Sequence, residues 1–187
     1  MRLFIAIELP ETLAAALHTY SLALAQQVPP RVVKWVEQGN MHLTLVFLGE
    51  TEPEKVRLVQ AVMNVAAASH SPFTLKPTVL GCFPNPLRPR TIWAGLAGEV
   101  KVAQSLKKTL DAGLEPLGWE PEKRPFAPHL TLGRVKDERG RVSLPWGQPI
   151  PAHPFSVNAI HLIESQLRPT GPVYTIHHTS PLRLSLR

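Results

Sequence analysis

Apolar and polar positions follow two different periods along this chain. Stretches with the spacing of an amphipathic helix are 11–28, 51–69 and 99–118. Short apolar or alternating runs typical of strands are 2–9, 32–49, 73–83, 91–96, 129–136, 155–165 and 173–180. The run 32–49 reads as two strands around a turn at Gly39 and Asn40. Because the strands come in groups between helices, the pattern favours an α+β fold with antiparallel sheets over alternating parallel winding.

The second and third helices carry the clearest apolar stripes. The expected core positions are Val56, Val59, Met63 and Ala66 in the second helix, and Val102, Leu106, Leu110 and Leu114 in the third. Thr51 stands three residues before Glu54, and Pro53 lies between them. This arrangement predicts a capping box at the start of the second helix.

Composition indicates one globular domain. Hydrophobic residues make up 44% of the 187 residues, and no linker or low-complexity stretch divides the chain. We therefore expect residues 1–187 to form a single domain. No run of 18 or more apolar residues occurs, so we expect no membrane-spanning helix and no membrane partner. The first apolar run is interrupted by Glu8 and Pro10, so we interpret it as a strand and not as a secretory signal.

Charge and cysteine content indicate the kind of partner and the cellular compartment to expect. Lys and Arg number 20 against 14 Asp and Glu, and the formal charge of +6 favours an anionic partner, with nucleic acid first. The single cysteine, Cys82, excludes an intramolecular disulfide and a cysteine-based zinc site, and it fits a reducing cytoplasm. We expect Cys82 to be a small buried apolar residue.

The tetrapeptide HLTL occurs twice, at 42–45 and at 129–132, each time near the start of a predicted strand. Because side chains alternate along a strand, His42 shares a face with Thr44, and His129 shares a face with Thr131. The leucines belong to the core, and the His and Thr pairs face a cleft or solvent. The matching places suggest two similar halves that face each other across a groove.

Two imidazoles and two hydroxyls in one groove suit phosphoryl chemistry without a metal. One neutral histidine can take a proton from the attacking water or hydroxyl, and a protonated one can give a proton to the leaving oxygen. Threonine hydroxyls can donate to the non-bridging phosphate oxygens. Two amphipathic strands with merely exposed His and Thr would show the same letters, so the residues alone leave both interpretations open.

Longer stretches surround the repeat. They are RLFIAIELP, KWVEQGNMHLTLVFLGE, GCFPNPLRPRTIWAGL, PFAPHLTLGRVK and IHLIESQLRPTGPVYTIHH. With the two intact HxTx motifs, they make the chain resemble the 2H phosphoesterase superfamily. Within it, the chain is similar to the RNA 2′,3′-cyclic phosphodiesterase branch, historically called 2′-5′ RNA ligase. The resemblance extends nearly from end to end.

The resemblance implies a bilobal, pseudo-twofold fold with one HxTx motif in each lobe. Two antiparallel sheets would line a central groove, with helices packed outside. The implied reaction is metal-independent hydrolysis of an RNA terminal 2′,3′-cyclic phosphate to a 2′-phosphate, with weak reversible 2′-5′ ligation of tRNA halves. It needs no cofactor, its partner is an RNA end such as that of a tRNA fragment, and we expect a cytoplasmic monomer.

The resemblance also implies residue roles. His42 would be the general acid on the departing 3′-oxygen, and His129 the general base on water. Thr44 and Thr131 would hold phosphate oxygens. The pseudo-symmetry makes the two histidines nearly interchangeable, so the acid and base assignments stay open.

Three further residues are candidates for substrate contact, and each has an alternative structural role. Arg134 matches the family but lies an odd number of residues after His129, so a contact with phosphate needs a bend or bulge at Gly133. The alternative for Arg134 is a surface arginine at the end of a strand. Phe47 has the same parity problem relative to His42, and stacking and core packing are equally open. Tyr174 belongs either to the core or to the groove edge.

Loop cations and tryptophans have simpler expected roles. Arg88 and Arg90 lie on a proline-rich loop where they suit an RNA backbone or ordinary solubility. Trp35 and Trp93 are expected in the core.

Two competing functions follow from the same letters. The first is a module that binds RNA ends or nucleotides without significant turnover. The second is a metallohydrolase using His42, His129 and His177, which the sequence disfavours because no Asp or Glu lies one or two positions from either HxT motif.

Overall fold

The structure is a computed structural model that describes residues 1–136, 142–169 and 171–183. In this part of the chain the helices are α1 (Glu11–Ala25), α2 (Pro53–Ala68) and α3 (Val100–Leu114). The strands are β1 (Arg2–Glu8), β2 (Val33–Trp35), β3 (His42–Glu50), β4 (Phe73–Phe83), β5 (Thr91–Gly98), β6 (His129–Val135), β7 (Phe155–Val157), β8 (Ala159–Arg168) and β9 (Gly171–Pro181). The three predicted helices and most of the predicted strands are present, with ends that differ by a few residues. The single strand predicted at 155–165 is wrong, because this stretch forms two strands, β7 and β8, that belong to different sheets.

The strands form two antiparallel sheets, as the pattern predicted. The first sheet has the order β3-β1-β8-β9, and the second has the order β2-β6-β5-β4-β7. Two connections tie the sheets together, because β2 from the first half of the chain pairs with β6, and β8 from the last part pairs with β1. The HLTL strands β3 and β6 therefore belong to different sheets.

The leucines of both HLTL copies lie in the core. Leu43, Leu130 and Leu132 are fully buried, and Leu45 is 3% exposed. They belong to one continuous apolar cluster that also includes residues of all three helices. Burial of an apolar side chain of this size stabilises the fold by about 1.5–3 kcal/mol. The cluster thus holds both HLTL strands against the helical layer.

The predicted helical stripes are confirmed. Val59 and Met63 of α2 and Leu106 and Leu110 of α3 are fully buried. Cys82 is buried as expected, at 8% exposure. None of the helices in the described ranges combines the length and the apolar character that a membrane crossing requires.

The predicted capping box is wrong. α2 begins at Pro53 with Glu52 as its N-cap residue, and no side chain caps it. The hydroxyl of buried Thr51 instead donates to the Gly49 carbonyl at 3.2 Å. The Pro53 ring accounts for the shift, because proline fixes φ and fits the first helical position without an N–H to satisfy.

The turn near Gly39 has a different role from a simple reversal between two paired strands. A short 3-10 turn at Gln38–Asn40 separates β2 from β3, and the two strands enter different sheets. The chain crosses here from the second sheet to the first. The chain takes this path because β2 pairs with β6, which is distant in the sequence. The local sequence pattern around Gly39 does not predict this pairing.

We predict that Leu130→Ala lowers the free energy of unfolding by about 2–5 kcal/mol, since it leaves a cavity in a fully buried site between the two groove residues of β6. Urea denaturation measures the change. Leu87→Ala, at a loop position that is 93% exposed, is the matched control and should stay within about 0.5 kcal/mol of the wild type. Equal losses in both variants would contradict the placement of β6 in the core.

Candidate active site

The polar residues of both HLTL copies occupy equivalent positions. His42 and Thr44 are half-buried, and so are His129 and Thr131. Each of these strands alternates half-buried polar and buried apolar residues over its first four positions. Burial of the leucines on one face therefore forces the His and Thr side chains to the other face.

The two HLTL strands lie side by side although they belong to different sheets. β3 and β6 approach each other with Cα atoms within 8 Å. The charge of Arg134 on β6 lowers the pKa of His42 on β3, which places this guanidinium in the electrical environment of the other half's imidazole. The polar faces of β3 and β6 thus lie close to each other, and we call the surface that they border the catalytic groove, after the role proposed below.

Both imidazoles are held in the same way. His42 Nδ1 lies 2.9 Å from the carbonyl oxygen of Asn40, and His129 Nδ1 lies 2.8 Å from that of Ala127. A carbonyl only accepts, so each Nδ1 carries a proton and donates it. In the neutral rings the lone pair is therefore on Nε2, which makes Nε2 the atom that can exchange a proton with a substrate.

A bulge lies at the last leucine of each HLTL motif. Opposite β3, Ile5 pairs with Val46 and Ala6 with Thr44, so Leu45 is an extra residue. Opposite β6, Ile92 pairs with Gly133 and Trp93 with Thr131, so Leu132 is the extra residue. An extra residue reverses the parity of everything after it.

The bulges bring Phe47 and Arg134 to the face that carries the histidines. Phe47 is the strand partner of Phe4, their ring centroids lie 6.3 Å apart, and Phe47 is 63% exposed. Arg134 is the partner of Thr91, and its Nη1 lies 3.4 Å from the Thr91 hydroxyl oxygen. The bulge near Gly133 that a contact between Arg134 and phosphate requires is therefore present. Of the two alternatives for Phe47, packing in the core is wrong, because the side chain is exposed.

Gly133 permits a close approach at the second bulge. A Cβ atom there would lie 2.8 Å from Val33 Cγ1 and 3.0 Å from the ring of Trp35. Both neighbours belong to β2, which pairs with β6 at this point. The equivalent position in the first bulge is Val46, which has no such neighbour strand since β3 is an edge strand.

Two aromatic rings surround His42, and of these the sequence singled out Tyr174 but not Phe4. Phe4 lies 4.8 Å from the imidazole and Tyr174 lies 5.4 Å from it, centroid to centroid. Phe4, Ala6 and Ile163 form a small buried cluster under Tyr174, separate from the main core. Tyr174 is therefore a groove residue. Phe4, Ala6 and Glu8 alternate along β1, and this alternation in the sequence could have predicted that they share the face of β1 next to His42.

A second aromatic pair flanks His129. The Phe83 ring lies 5.0 Å from the imidazole and the Trp93 ring 6.4 Å from it. Trp93 is the strand partner of Thr131 and its ring packs against Gly81, so it lies on the groove face. The expectation that Trp93 is a core residue is wrong, whereas Trp35 does pack against the core.

Burial changes the protonation of His42. The pKa of His42 is lowered to about 4, mainly because burial removes water from the ring; the hydrogen bond to Asn40 raises the pKa and the Arg134 charge lowers it, and both effects are smaller. His42 is thus neutral near pH 7 in the free protein. Burial likewise raises the pKa of the Tyr174 phenol, which keeps it neutral as well.

The remaining candidates lie around the groove. Arg88 and Arg90 are exposed on the β4–β5 connection, which starts at Phe83 beside His129. His177 Nε2 lies 2.8 Å from a Glu164 carboxylate oxygen. In residues 1–136, 142–169 and 171–183, no group of three His, Cys, Asp or Glu side chains is arranged to hold a metal ion.

A cavity of about 370 Å³ opens next to His42. Its lining residues are Glu8, Gly39, Met41, His42, Ile163, Tyr174, Thr175 and Ile176. Its volume is in the range typical of small-molecule sites. We call it the His42 cavity.

Comparison with known proteins identifies relatives along the whole chain. The sequence model of the LigT like phosphoesterase family matches residues 7–93 and 96–174, and each match contains one HLTL motif. An RNA 2′,3′-cyclic phosphodiesterase of Methanothermobacter thermautotrophicus is 32% identical, with 94% of this chain and 95% of the relative covered. One of Thermus thermophilus is 36% identical, with 98% of this chain and 91% of the relative covered.

Solved structures share the fold. The protein TT0787 of Thermus thermophilus superposes with a TM-score of 0.82 at 34% identity, covering 99% of this chain and all of that one. E. coli LigT complexed with 3′-AMP has a TM-score of 0.76 at 28% identity, covering 98% of both chains. The fold expected from the resemblance is therefore confirmed.

The lowered pKa of His42 predicts a loss of stability in acid. The unfolded histidine takes up its proton near pH 6.5, whereas the folded one takes it up only near pH 4. The free energy of unfolding should therefore fall as the pH decreases from 6.5 to 4, with a contribution from His42 of about 3 kcal/mol at most.

Urea denaturation of the wild type and His42→Gln between pH 4 and pH 7 measures this contribution. The variant should lose less stability over that range than the wild type. Parallel curves for the two proteins would show that the imidazole is not buried.

Proposed function

This chain belongs to the LigT like phosphoesterase family, and we propose that it hydrolyses the terminal 2′,3′-cyclic phosphate of RNA to a 2′-phosphate by paired catalysis of His42 and His129. The curated relatives that carry the name RNA 2′,3′-cyclic phosphodiesterase support the general reaction. The enzyme is a phosphoric diester hydrolase.

One observation carries the proposed mechanism. β3 and β6 present the same His and Thr pair to one groove, and a backbone carbonyl two residues before each histidine holds its Nδ1 proton. Two Nε2 atoms are thereby left to exchange protons with a substrate. An acid and a base of this kind each contribute about 10²–10⁴-fold to a reaction.

In the proposed step, Nε2 of His129 removes a proton from water as the water oxygen bonds to phosphorus. The bond between phosphorus and the 3′-oxygen breaks, and Nε2 of His42 gives its proton to that oxygen. The product carries a 2′-phosphomonoester and a 3′-hydroxyl. Proton exchange with solvent then restores both imidazoles, so the reaction consumes only water and uses no metal.

His42 must be protonated to act as the acid, although it is neutral in the free protein. A bound phosphodiester brings a negative charge beside the ring, and an opposite charge raises the pKa of a histidine. We propose that substrate binding itself protonates His42. The hydroxyls of Thr44 and Thr131 and the guanidinium of Arg134 hold the phosphate oxygens and stabilise the charge that develops on them.

Other groove residues contact the RNA. Phe47 and Tyr174 offer rings for bases, since unstacked bases of RNA ends stack on aromatic side chains. Arg90 interacts with the RNA backbone from the β4–β5 connection. The groove also suits a 5′-hydroxyl in place of water, which would give weak 2′-5′ ligation of fragments such as tRNA halves. We propose that the protein acts as a monomeric single domain of two pseudo-symmetric lobes.

The activity is tested with an oligoribonucleotide that ends in a 2′,3′-cyclic phosphate, in the presence of EDTA. We expect conversion to a 2′-phosphate, which chromatography against both phosphate isomers identifies. His42→Ala and His129→Ala should each slow the reaction by about 10²–10⁴-fold, because each removes one proton-transfer group.

His153→Ala is the matched control, because His153 is exposed in the segment before β7. It should keep wild-type activity. Loss of activity in EDTA would overturn the metal-free mechanism. Binding of the RNA without hydrolysis by the wild type would favour the binding module instead.

A leaving group that needs no proton separates the acid from the base. A substrate with sulfur in place of the bridging 3′-oxygen expels a thiolate, so a variant without the general acid should recover on it. We expect the His42→Ala rate to approach the wild-type rate within about tenfold, while His129→Ala stays slow by about 10²–10⁴-fold. Single-turnover rates measure both. Recovery of His129→Ala alone would reverse the two roles.

A further inference from the structure

The two halves of the catalytic groove differ in charge at equivalent positions. The strand partner of His42 on β1 is Glu8, whereas the strand partner of His129 on β5 is Gly95. Five residues after each histidine the difference is repeated, with Phe47 in the first half and Arg134 in the second. At these positions the first half thus carries a carboxylate and an aromatic ring where the second half carries a glycine and a guanidinium.

The carboxylate of Glu8 beside His42 is unexpected, because the proposed substrate is an anion and a carboxylate repels it. Glu8 is 51% exposed and forms one wall of the His42 cavity. Its described ion-pair partner is His161, whose Nε2 lies 3.8 Å away. Burial lowers the pKa of His161 more than Glu8 raises it, so the ring is neutral near pH 7 and leaves the Glu8 charge uncompensated. Such a charge repels phosphate and attracts N–H donors.

The rest of the cavity suits a flat aromatic ligand. Ile163 and Ile176 contribute apolar surface, and the Tyr174 ring stands at an angle of 73° to the His42 imidazole. The volume of about 370 Å³ is sufficient for one nucleoside. A base placed here would contact both the apolar residues of the lining and the carboxylate of Glu8.

Two cations belong to the second half of the groove, whereas the charge of Arg2 on β1 acts on Tyr174 in the first half. Arg134 projects from β6 next to Thr91, and Arg88 is exposed on the connection that begins at Phe83. Phosphates are therefore expected along the second half. This charge distribution orients a nucleotide with its phosphate towards β6 and its base towards the His42 cavity.

We propose that the His42 cavity binds the base of the nucleotide that carries the cyclic phosphate, and that Glu8 makes the enzyme prefer guanine. This inference rests on the proposed function and adds a substrate preference to it. The Watson–Crick edge of guanine presents two adjacent donors, N1–H and the N2 amino group, which match the two oxygens of one carboxylate. Adenine and cytosine present one amino group, and uracil presents one N–H between two carbonyls. RNA ends are commonly recognised through this edge.

The test compares kcat/KM for the 2′,3′-cyclic phosphates of guanosine, adenosine, cytidine and uridine. The wild type should prefer guanosine over uridine by about 5- to 150-fold, the range that one bidentate contact supplies. Glu8→Gln should reduce this ratio to about one, since the amide keeps the shape but offers one acceptor and no charge.

Glu50→Gln is the matched control. Glu50 lies at the opposite end of the β1–β3 pair, is 81% exposed and contacts the N-terminal amine. This variant should keep the wild-type preference. Equal wild-type rates for the four nucleotides would overturn the inference, and so would a loss in Glu8→Gln that is the same for all four, because the carboxylate would then act on the ribose.

A binding measurement distinguishes failure of the proposed hydrolysis from failure of the proposed base preference. If no cyclic nucleotide is hydrolysed, calorimetric binding of guanosine and uridine 2′-phosphates to the wild type still tests the cavity. Tighter binding of the guanosine compound by about 5- to 150-fold would support the inference without catalysis. Equal affinities would overturn it.

Discussion

The alternation of side chains in β3 and β6 is the constraint on which the rest of the site depends. Two buried leucines in each HLTL motif hold the strand in the apolar core, and the intervening His and Thr have no other face to occupy. A slip of one residue would expose the leucines and bury two polar groups, which is strongly unfavourable. The same packing that stabilises the fold therefore orients the proposed catalytic side chains, and the same four residues do so in both strands.

The bulge after each motif ends this alternation at the same point in both halves. It turns the fifth residue after the histidine back to the catalytic groove, where one half has Phe47 and the other has Arg134. In the proposed mechanism, the residues that the halves share carry out the reaction, with the histidines transferring protons and the threonines holding the phosphate oxygens. The proposed orientation of the substrate depends on residues that the halves do not share, namely Glu8 and Phe47 in one half and Gly95 and Arg134 in the other.

Burial and charge act against each other around His42. The rings of Phe4 and Tyr174 remove water from the imidazole, and the nearby guanidinium of Arg134 further disfavours a proton there. The Nδ1 bond to Asn40 does not offset these effects but fixes the tautomer. In the proposed mechanism a phosphate anion that enters the groove reverses this balance and protonates the ring. Arg134 would then have two roles, since its charge keeps His42 neutral in the free protein and would attract the phosphate.

By itself, the sequence determined the helices, most of the strands and the burial of the HLTL leucines, because these follow from periods of two and 3.6 residues. The repeated motif also made His42 and His129 the candidate catalytic pair. The sequence did not show that residues 155–165 form two strands in different sheets. It misplaced Trp93 and left the faces of Phe47, Arg134 and Tyr174 open, because a bulge or a face depends on which residue of a distant strand lies opposite. It assigned Thr51 to a cap that Pro53 displaces. Only the tertiary structure decided that β2 and β3 enter different sheets, that Phe4 and Phe83 flank the imidazoles, and that Glu8 lies beside His42. Each of these is a contact between residues far apart in the chain, and the physical reason is the same in each case: register between strands is set by the packing of the whole sheet.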